Sequence, residues 1–197
     1  PEFYHLLLVF RKMNQHKVDL ASFNNSGFDR GAPRWKEMCW LLVSAIFFRH
    51  PLSLWNGAKI RWLRLFGATI GRNVLIKPQV LIKFPWKLVL EDNIWIGEKA
   101  WIDNLDQVHV HSNVCISQGA YLLTGNHDYK KSTFDLIVRP IRIGEGAWIG
   151  AMAVVNQGID VGAHAVLTTG SVATKHLEAY GIYQGNPAIR IRTREIQ

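Results

Sequence analysis

The chain has 197 residues, 48% of them apolar and 19% charged, a globular composition that excludes a disordered chain and bounds the protein to one compact domain or one domain with an extension. A formal net charge of +8 suits anionic partners such as anionic lipid or a phosphorylated cofactor. Nucleic acid is not expected, because neither zinc-finger spacing nor an RNA-binding aromatic motif occurs.

The chain opens on Pro1, and Met13 is a candidate natural start, so residues 1–12 are set aside as a non-native or disordered segment. The run LLLVF at residues 6–10 is short, and it lacks the basic start and small-residue cleavage site of a secretory signal. Residues 13–69 read as a helical extension, with the clearest helical pattern over residues 33–65 and a break at Pro51. Inside it, MCWLLVSAIFF at residues 38–48 spans 11 residues, whereas a membrane-crossing helix takes about 20. That run reads as a buried helix, with a membrane-surface or subunit contact as the alternative. Further on, Trp55, Lys59, Trp62 and Phe66 alternate with Arg61 and Arg64. Such a helix either covers the open end of a repeat structure or lies on a membrane. Cys39 and Cys115 form no disulfide framework and read as reduced packing residues, which favours the cytoplasm.

From residue 143 onward Ile143, Ile149, Val155, Val161, Leu167 and Ala173 recur every six positions. Gly144, Gly150 and Gly162 each follow one of them, and small residues such as Ala147, Ala153 and Ala165 stand four places on. An α-helix of 3.6 residues per turn cannot hold a six-residue stripe on one face. A coil of short strands can: each hexapeptide is one flat side, its aliphatic residue points inward, and glycine or asparagine takes the bend. Three sides close a prism of about 18 residues per coil, and stacked coils bury one aliphatic column.

The same beat runs earlier through Ile70, Ile76, Ile82, Leu88 and Ile94. It restarts after a two-residue slip at Ile96, Ile102 and Val108, and after another at Val110, Ile116 and Leu122. The prism is expected over residues 70–180, followed by a tail at 181–197. Between Leu122 and Ile143 the rhythm fails, so residues 125–140 read as a loop thrown out from the prism. That loop presents GNHDY, and loops on rigid scaffolds are where function concentrates.

The hexapeptides of WIGEGAWIG type, the GNHDY loop, SVATK and a final GNPA followed by arginines resemble the left-handed β-helix acyltransferases. The resemblance is nearest to the colanic acid biosynthesis acetyltransferase family and covers about residues 18–193. It implies an all-β solenoid of left-handed coils, although general crossover rules would favour the right hand. It further implies a homotrimer with each active site between neighbouring prisms, an acetyl-CoA co-substrate, a sugar or polysaccharide-precursor acceptor, and no metal. Peripheral contact with the inner face of a membrane is compatible with this cytoplasmic reading.

His127 matches the family's loop general base, and the role is chemically apt. A sugar hydroxyl is a poor nucleophile until its proton is removed, and imidazole has an ordinary pKa of about 6.5. The activated oxygen would attack the thioester directly, with a backbone N–H holding the oxyanion. Asp103 and Asn104, from WIDNLD, would bind acceptor hydroxyls or orient the base; a polar turn ladder is their alternative. Asp128 is a further acceptor-side candidate. The resemblance carries cofactor contacts onto Ala151 and Thr169 along the pantetheine arm. It places Thr174, Lys175 and Arg192 towards the nucleotide end, while Arg190 departs from the family's usual spacing.

His109 and His111 could share a strand face, but no third histidine matches them in the manner of carbonic-anhydrase-like prisms. Three activities fit: O-acetyl transfer to a sugar in exopolysaccharide assembly, acyl transfer to a small acceptor such as a free sugar, amino sugar, serine or antibiotic, or a non-transferase prism.

Overall fold

A computed structural model describes residues 17–197, so the expectations for residues 1–12 lie outside the described residues. Two units are distinguished by their internal contacts. One joins the segment up to Phe28 with His127–Ile137, and the other joins Asp29–Asn126 with Val138–Gln197.

The second unit is a parallel β-solenoid with three sheets, one per side. The first contains Thr69–Ile70, Leu88–Leu90, Val108–Val110, Ile141–Ile143 and Asp160–Val161. The second runs from Leu75–Ile76 through Trp95–Ile96, Cys115–Ile116, Trp148–Ile149 and Val166–Leu167 to Gly181–Gly185, with Ala188–Thr193 antiparallel at its edge. The third contains Leu81–Ile82, Trp101–Asp103, Tyr121–Leu123, Val154–Val155 and Val172–Ala173.

Later coils keep the expected length: Trp148 lies opposite Val166, 18 residues on. Earlier coils are two residues longer, since Leu75 lies opposite Trp95 and Trp95 opposite Cys115. The first slip falls between Leu88 and Leu90, both buried, and not between Ile94 and Ile96. Ile94 belongs to a second inward series four residues behind the first, with Val74, Val80, Ala100, Val114 and Ala120. The sequence rhythm mistook one series for the other because isoleucine occupies both.

Asparagine takes the bend as expected. Asn73, Asn93 and Asn113 have φ of 55°, 59° and 63°, and their amides form a ladder at 3.0 and 3.1 Å. The glycines after the aliphatic residues serve a different purpose. A Cβ on Gly150 would stand 2.6 Å from the Thr169 nitrogen of the next coil, and one on Gly144 would stand 2.6 Å from that of Ala163. No side chain fits where two backbones approach so closely.

The open end of the first coil exposes strand-edge carbonyls that have no coil beneath them. Two helices close it, α1 (Arg34–Phe47) and α2 (Asn56–Leu65). Trp40 donates its indole N–H to Ile82 O at 2.8 Å, and the Asn56 amide bonds Val74 O and Ile76 N. Arg64 reaches Ile70 O and Gly71 O. Lys59 donates to Ile76 O at 3.0 Å and Lys77 O at 3.1 Å. Leu63, Phe66, Trp40 and Phe48 then join the aliphatic column. So α2 caps the first coil. The expectation for residues 38–48 changes: Trp40, Ser44 and Phe48 are buried, but Met38, Leu41, Leu42 and Ile46 face outward, and Cys39 is exposed instead of packed.

Burial lowers the Lys59 pKa to about 8, against about 10.4 in an unfolded chain. Between those values the folded chain sheds a proton that the unfolded chain keeps, so this group adds stability as pH rises, and its penalty stands in full below about 8. Urea unfolding of the parent and of Lys59→Met at pH 7 and pH 9.5 checks this. The parent-minus-variant stability should rise with pH by about 1–2 kcal/mol, and a difference independent of pH would contradict it.

Candidate active site

The coil that carries the loop has a step of 33 residues, from Cys115 to Trp148. Gly125–His127 and Leu136–Val138 pair as a two-stranded sheet at the loop's root. Arg139 N–H donates to Thr124 O there.

His127 is fixed from within its own unit. Its Nδ1 lies 2.7 Å from Phe134 O. A carbonyl only accepts, so Nδ1 carries the hydrogen, and in the neutral ring Nε2 is the nitrogen able to take a proton. Phe134 stacks on the imidazole at 4.4 Å and 8°, and the Phe23 ring tilts against it at 5.6 Å. Phe134 is held at φ 51°, an uncommon conformation for a bulky residue, in the turn that brings its carbonyl to the histidine. Asp128 accepts from Lys130 N–H at 3.1 Å and donates its own N–H to Asp135 O, so these contacts shape the loop turn. Asp19 N–H donates to Ser132 O at 2.9 Å, tying the segment that carries Phe23 to the loop. Phe23 and Phe134 went unread in the sequence because neither lies on a periodic stripe.

On the prism, Asp103 and Asn104 part company. The Asn104 side chain is buried, with its NH₂ donating to Phe84 O at 2.6 Å and its oxygen accepting from the Lys83 and Phe84 N–H groups. This is the turn-ladder geometry. Asp103 instead pairs with Lys83 Nζ at 3.2 Å and accepts from the Tyr121 hydroxyl at 3.4 Å. Burial, the Asp103 charge and that hydrogen bond push the Tyr121 pKa up to about 12. Trp101 stacks on Tyr121 at 4.7 Å and 12°, with its ring partly open to solvent. A carboxylate, an ammonium and an aromatic face on one sheet are the groups that bind a polyol with one apolar side.

Ala151 and Thr169 occupy the same corner on successive coils. Gly170 N–H donates to Ala151 O at 2.8 Å, and the N–H groups of Ala151 and Thr169 have no partner among the described residues. Thr174 and Lys175 are exposed beyond Val172–Ala173 on the third sheet, and Arg192 is exposed on the edge strand of the second. The five sequence-predicted cofactor residues therefore do not share one corner of a single chain. Lys175 and Arg192 have no side-chain partner among the described residues, whereas Arg190 is held by Glu178 at 2.8 Å.

His109 and His111 stack at 4.2 Å and both reach Glu91 Oε1, at 2.9 and 3.0 Å. Ser112 donates its N–H and hydroxyl to the other oxygen. Burial pushes the Glu91 carboxyl up, but hydrogen bonds from His109 and Ser112 and the nearby His111 hold it below its ordinary range. Among the described residues, this is the group whose donor atoms gather within 4.8 Å as metal ligands would. Both carboxylate oxygens are already engaged, so the geometry is that of a hydrogen-bonded clasp. Sequence reading missed Glu91, which one 20-residue coil places beside His111.

No family model matches the chain. It is 37% identical over 181 residues to an Escherichia coli protein described as "Putative colanic acid biosynthesis acetyltransferase WcaF", covering 89% of this chain and 97% of that one. It is 29% identical over 129 residues to the galactoside O-acetyltransferase of Escherichia coli, covering 64% of this chain and 63% of that protein. Among solved structures, a hexapeptide-repeat acetyltransferase from Vibrio cholerae complexed with acetyl coenzyme A superposes with a TM-score of 0.76. That match is 18% identical and covers 89% of this chain and 97% of the other, a likeness of fold.

Proposed function

Because the chain belongs to the left-handed β-helix, hexapeptide-repeat acetyltransferases, in the family of its Escherichia coli colanic acid relative, we propose that it transfers acetyl from acetyl-CoA to a sugar hydroxyl during exopolysaccharide assembly. The observation that supports this chemistry is the Phe134 carbonyl on His127 Nδ1, which is consistent with Nε2 as the proton-accepting nitrogen. The acceptor, an exopolysaccharide precursor, takes its class from the name of that relative.

Nε2 takes the hydroxyl proton as the sugar oxygen attacks the thioester carbonyl. The tetrahedral adduct collapses with cleavage of the carbon–sulfur bond, and the imidazolium returns its proton to the departing CoA thiolate. Transfer is direct, within a ternary complex. The N–H groups of Ala151 and Thr169 line the pantetheine arm and offer a donor for the oxyanion. Thr174, Lys175 and Arg192 meet the nucleotide end, where unpaired cations suit phosphates. Asp103 binds acceptor hydroxyls with Asn104 holding the turn behind it, and Asp128 is the acceptor-side candidate on the loop.

Cofactor residues spread over different sides of one prism fit a cleft built by two prisms, and the homotrimer that the family resemblance implies would supply such clefts. Multi-angle light scattering should give three times the chain mass, and a fully active monomer or dimer would contradict it.

His127→Ala should slow acetyl transfer by roughly 10²–10⁴-fold, read as CoA released with oligosaccharide acceptors. Its circular dichroism should match the parent, since His127 lies outside the aliphatic column. Transfer at the parental rate would remove His127 from the mechanism.

Replacing both Lys175 and Arg192 with Ala should raise the KM for acetyl-CoA about tenfold or more while kcat changes less, because these contacts hold ground and transition states alike. An unchanged KM at low ionic strength would move the nucleotide elsewhere without touching the assignment of the base.

A further inference from the structure

The helical cap has a face that the core does not use. On α1, Trp35, Met38, Leu42 and Ile46 follow one another at three- and four-residue spacing, opposite the buried Trp40 and Ser44. Leu52, Leu54 and Trp55 in the connection and Leu65 at the end of α2 are exposed as well. Each of these eight side chains is 60–76% exposed. An open groove of about 390 Å³ is lined by Phe47, Ala58, Arg61, Trp62 and Leu65. Chains that stay in water rarely leave so many large apolar side chains of one segment uncovered.

The charge around the strip has one sign. From residue 34 to 66 the chain carries six Lys and Arg residues and a single acid, Glu37. Glu37 is already gripped by both contacts of Arg30, at 2.9 and 3.0 Å. Arg34, Arg49 and Arg61 are exposed and have no side-chain partner among the described residues. A second copy of the same face would set these cations against their own kind. An anionic surface with an apolar interior meets both features at once.

We propose that α1, the connection after it and the end of α2 form a docking surface for an anionic phospholipid bilayer. Trp35, Leu42, Ile46 and Trp55 enter the boundary between headgroups and acyl chains, while Arg34, Arg49 and Arg61 meet lipid phosphates. The segment lies on the membrane and does not cross it: α1 has 14 residues, and no helix among the described residues is long and apolar enough to span. The cap thus has two faces, one closing the aliphatic column and one turned to lipid. This proposal does not rest on acetyl transfer, and its test reads binding alone.

The purified full chain is sedimented with vesicles of phosphatidylcholine, and with vesicles that also contain phosphatidylglycerol. The parent should bind the anionic vesicles, bind the neutral ones more weakly, and release from the anionic ones as salt is raised. Leu42→Ser with Ile46→Ser should weaken binding to anionic vesicles about tenfold or more. A second variant, with Arg34, Arg49 and Arg61 all changed to Gln, should lose the preference for anionic over neutral vesicles. Both should keep the parental thermal midpoint and mass. Three results would overturn the proposal: no binding to either vesicle, equal binding by the parent to both kinds, or serine variants that bind as the parent does. A change of oligomeric mass in the serine variants would also overturn it, by making this face a subunit contact.

Discussion

Everything in this protein depends on how closely one coil lies on the next. Parallel strands stack at about 4.8 Å, and the inward aliphatic residues fill the column only if the backbones meet at the corners without side chains between them. Gly144, Gly150 and Gly162 stand at those meeting points, where a Cβ would collide with the coil above. Ile70, Ile116, Ile149 and Leu167 bury themselves because the stack is closed, and the stack is closed because the glycines permit it.

A structure built this regularly has little freedom in its walls, which decides where chemistry can be placed. The loop rooted at Gly125–His127 is the one long departure from the coil among the described residues, and it organises its own histidine. A carbonyl from seven residues away holds one ring nitrogen, and two aromatic rings hold the plane. The walls contribute what repetition allows: backbone N–H groups at a stacked corner, and side chains that recur one coil apart, such as Trp101 and Tyr121. The aromatic stack is a direct consequence of parallel register.

The open end poses the reverse problem. A solenoid's last strands present backbone groups and core side chains together, and water can satisfy only the first. The cap answers with polar side chains on an apolar helix, so Asn56, Lys59 and Arg64 bond the edge while Leu63 and Phe66 seal the column. A buried lysine with a lowered pKa is the cost of closing a backbone edge with side chains. Once α2 and the inward side of α1 do this work, the outward side of α1 is left apolar and ringed by cations.

The six-residue period determined the prism, its approximate coil length, the corner asparagines and the position of the excluded loop, because these follow from local spacing along the chain. The GNHDY motif made His127 a candidate through its resemblance to the family's loop, not through the period. What the spacing left undecided is whatever requires knowing which coil lies above which. Leu90 and Ile94 exchange roles only when the 20-residue register is known. Glu91 meets His109 and His111 from a different coil, and Asp103 separates from Asn104 because only one of the two turns inward to the Phe84 backbone. The apolar run at residues 38–48 reads as a core helix in one dimension. Packing decided that half of it faces out, since a helix laid on the end of a prism has one side to bury and one side left over.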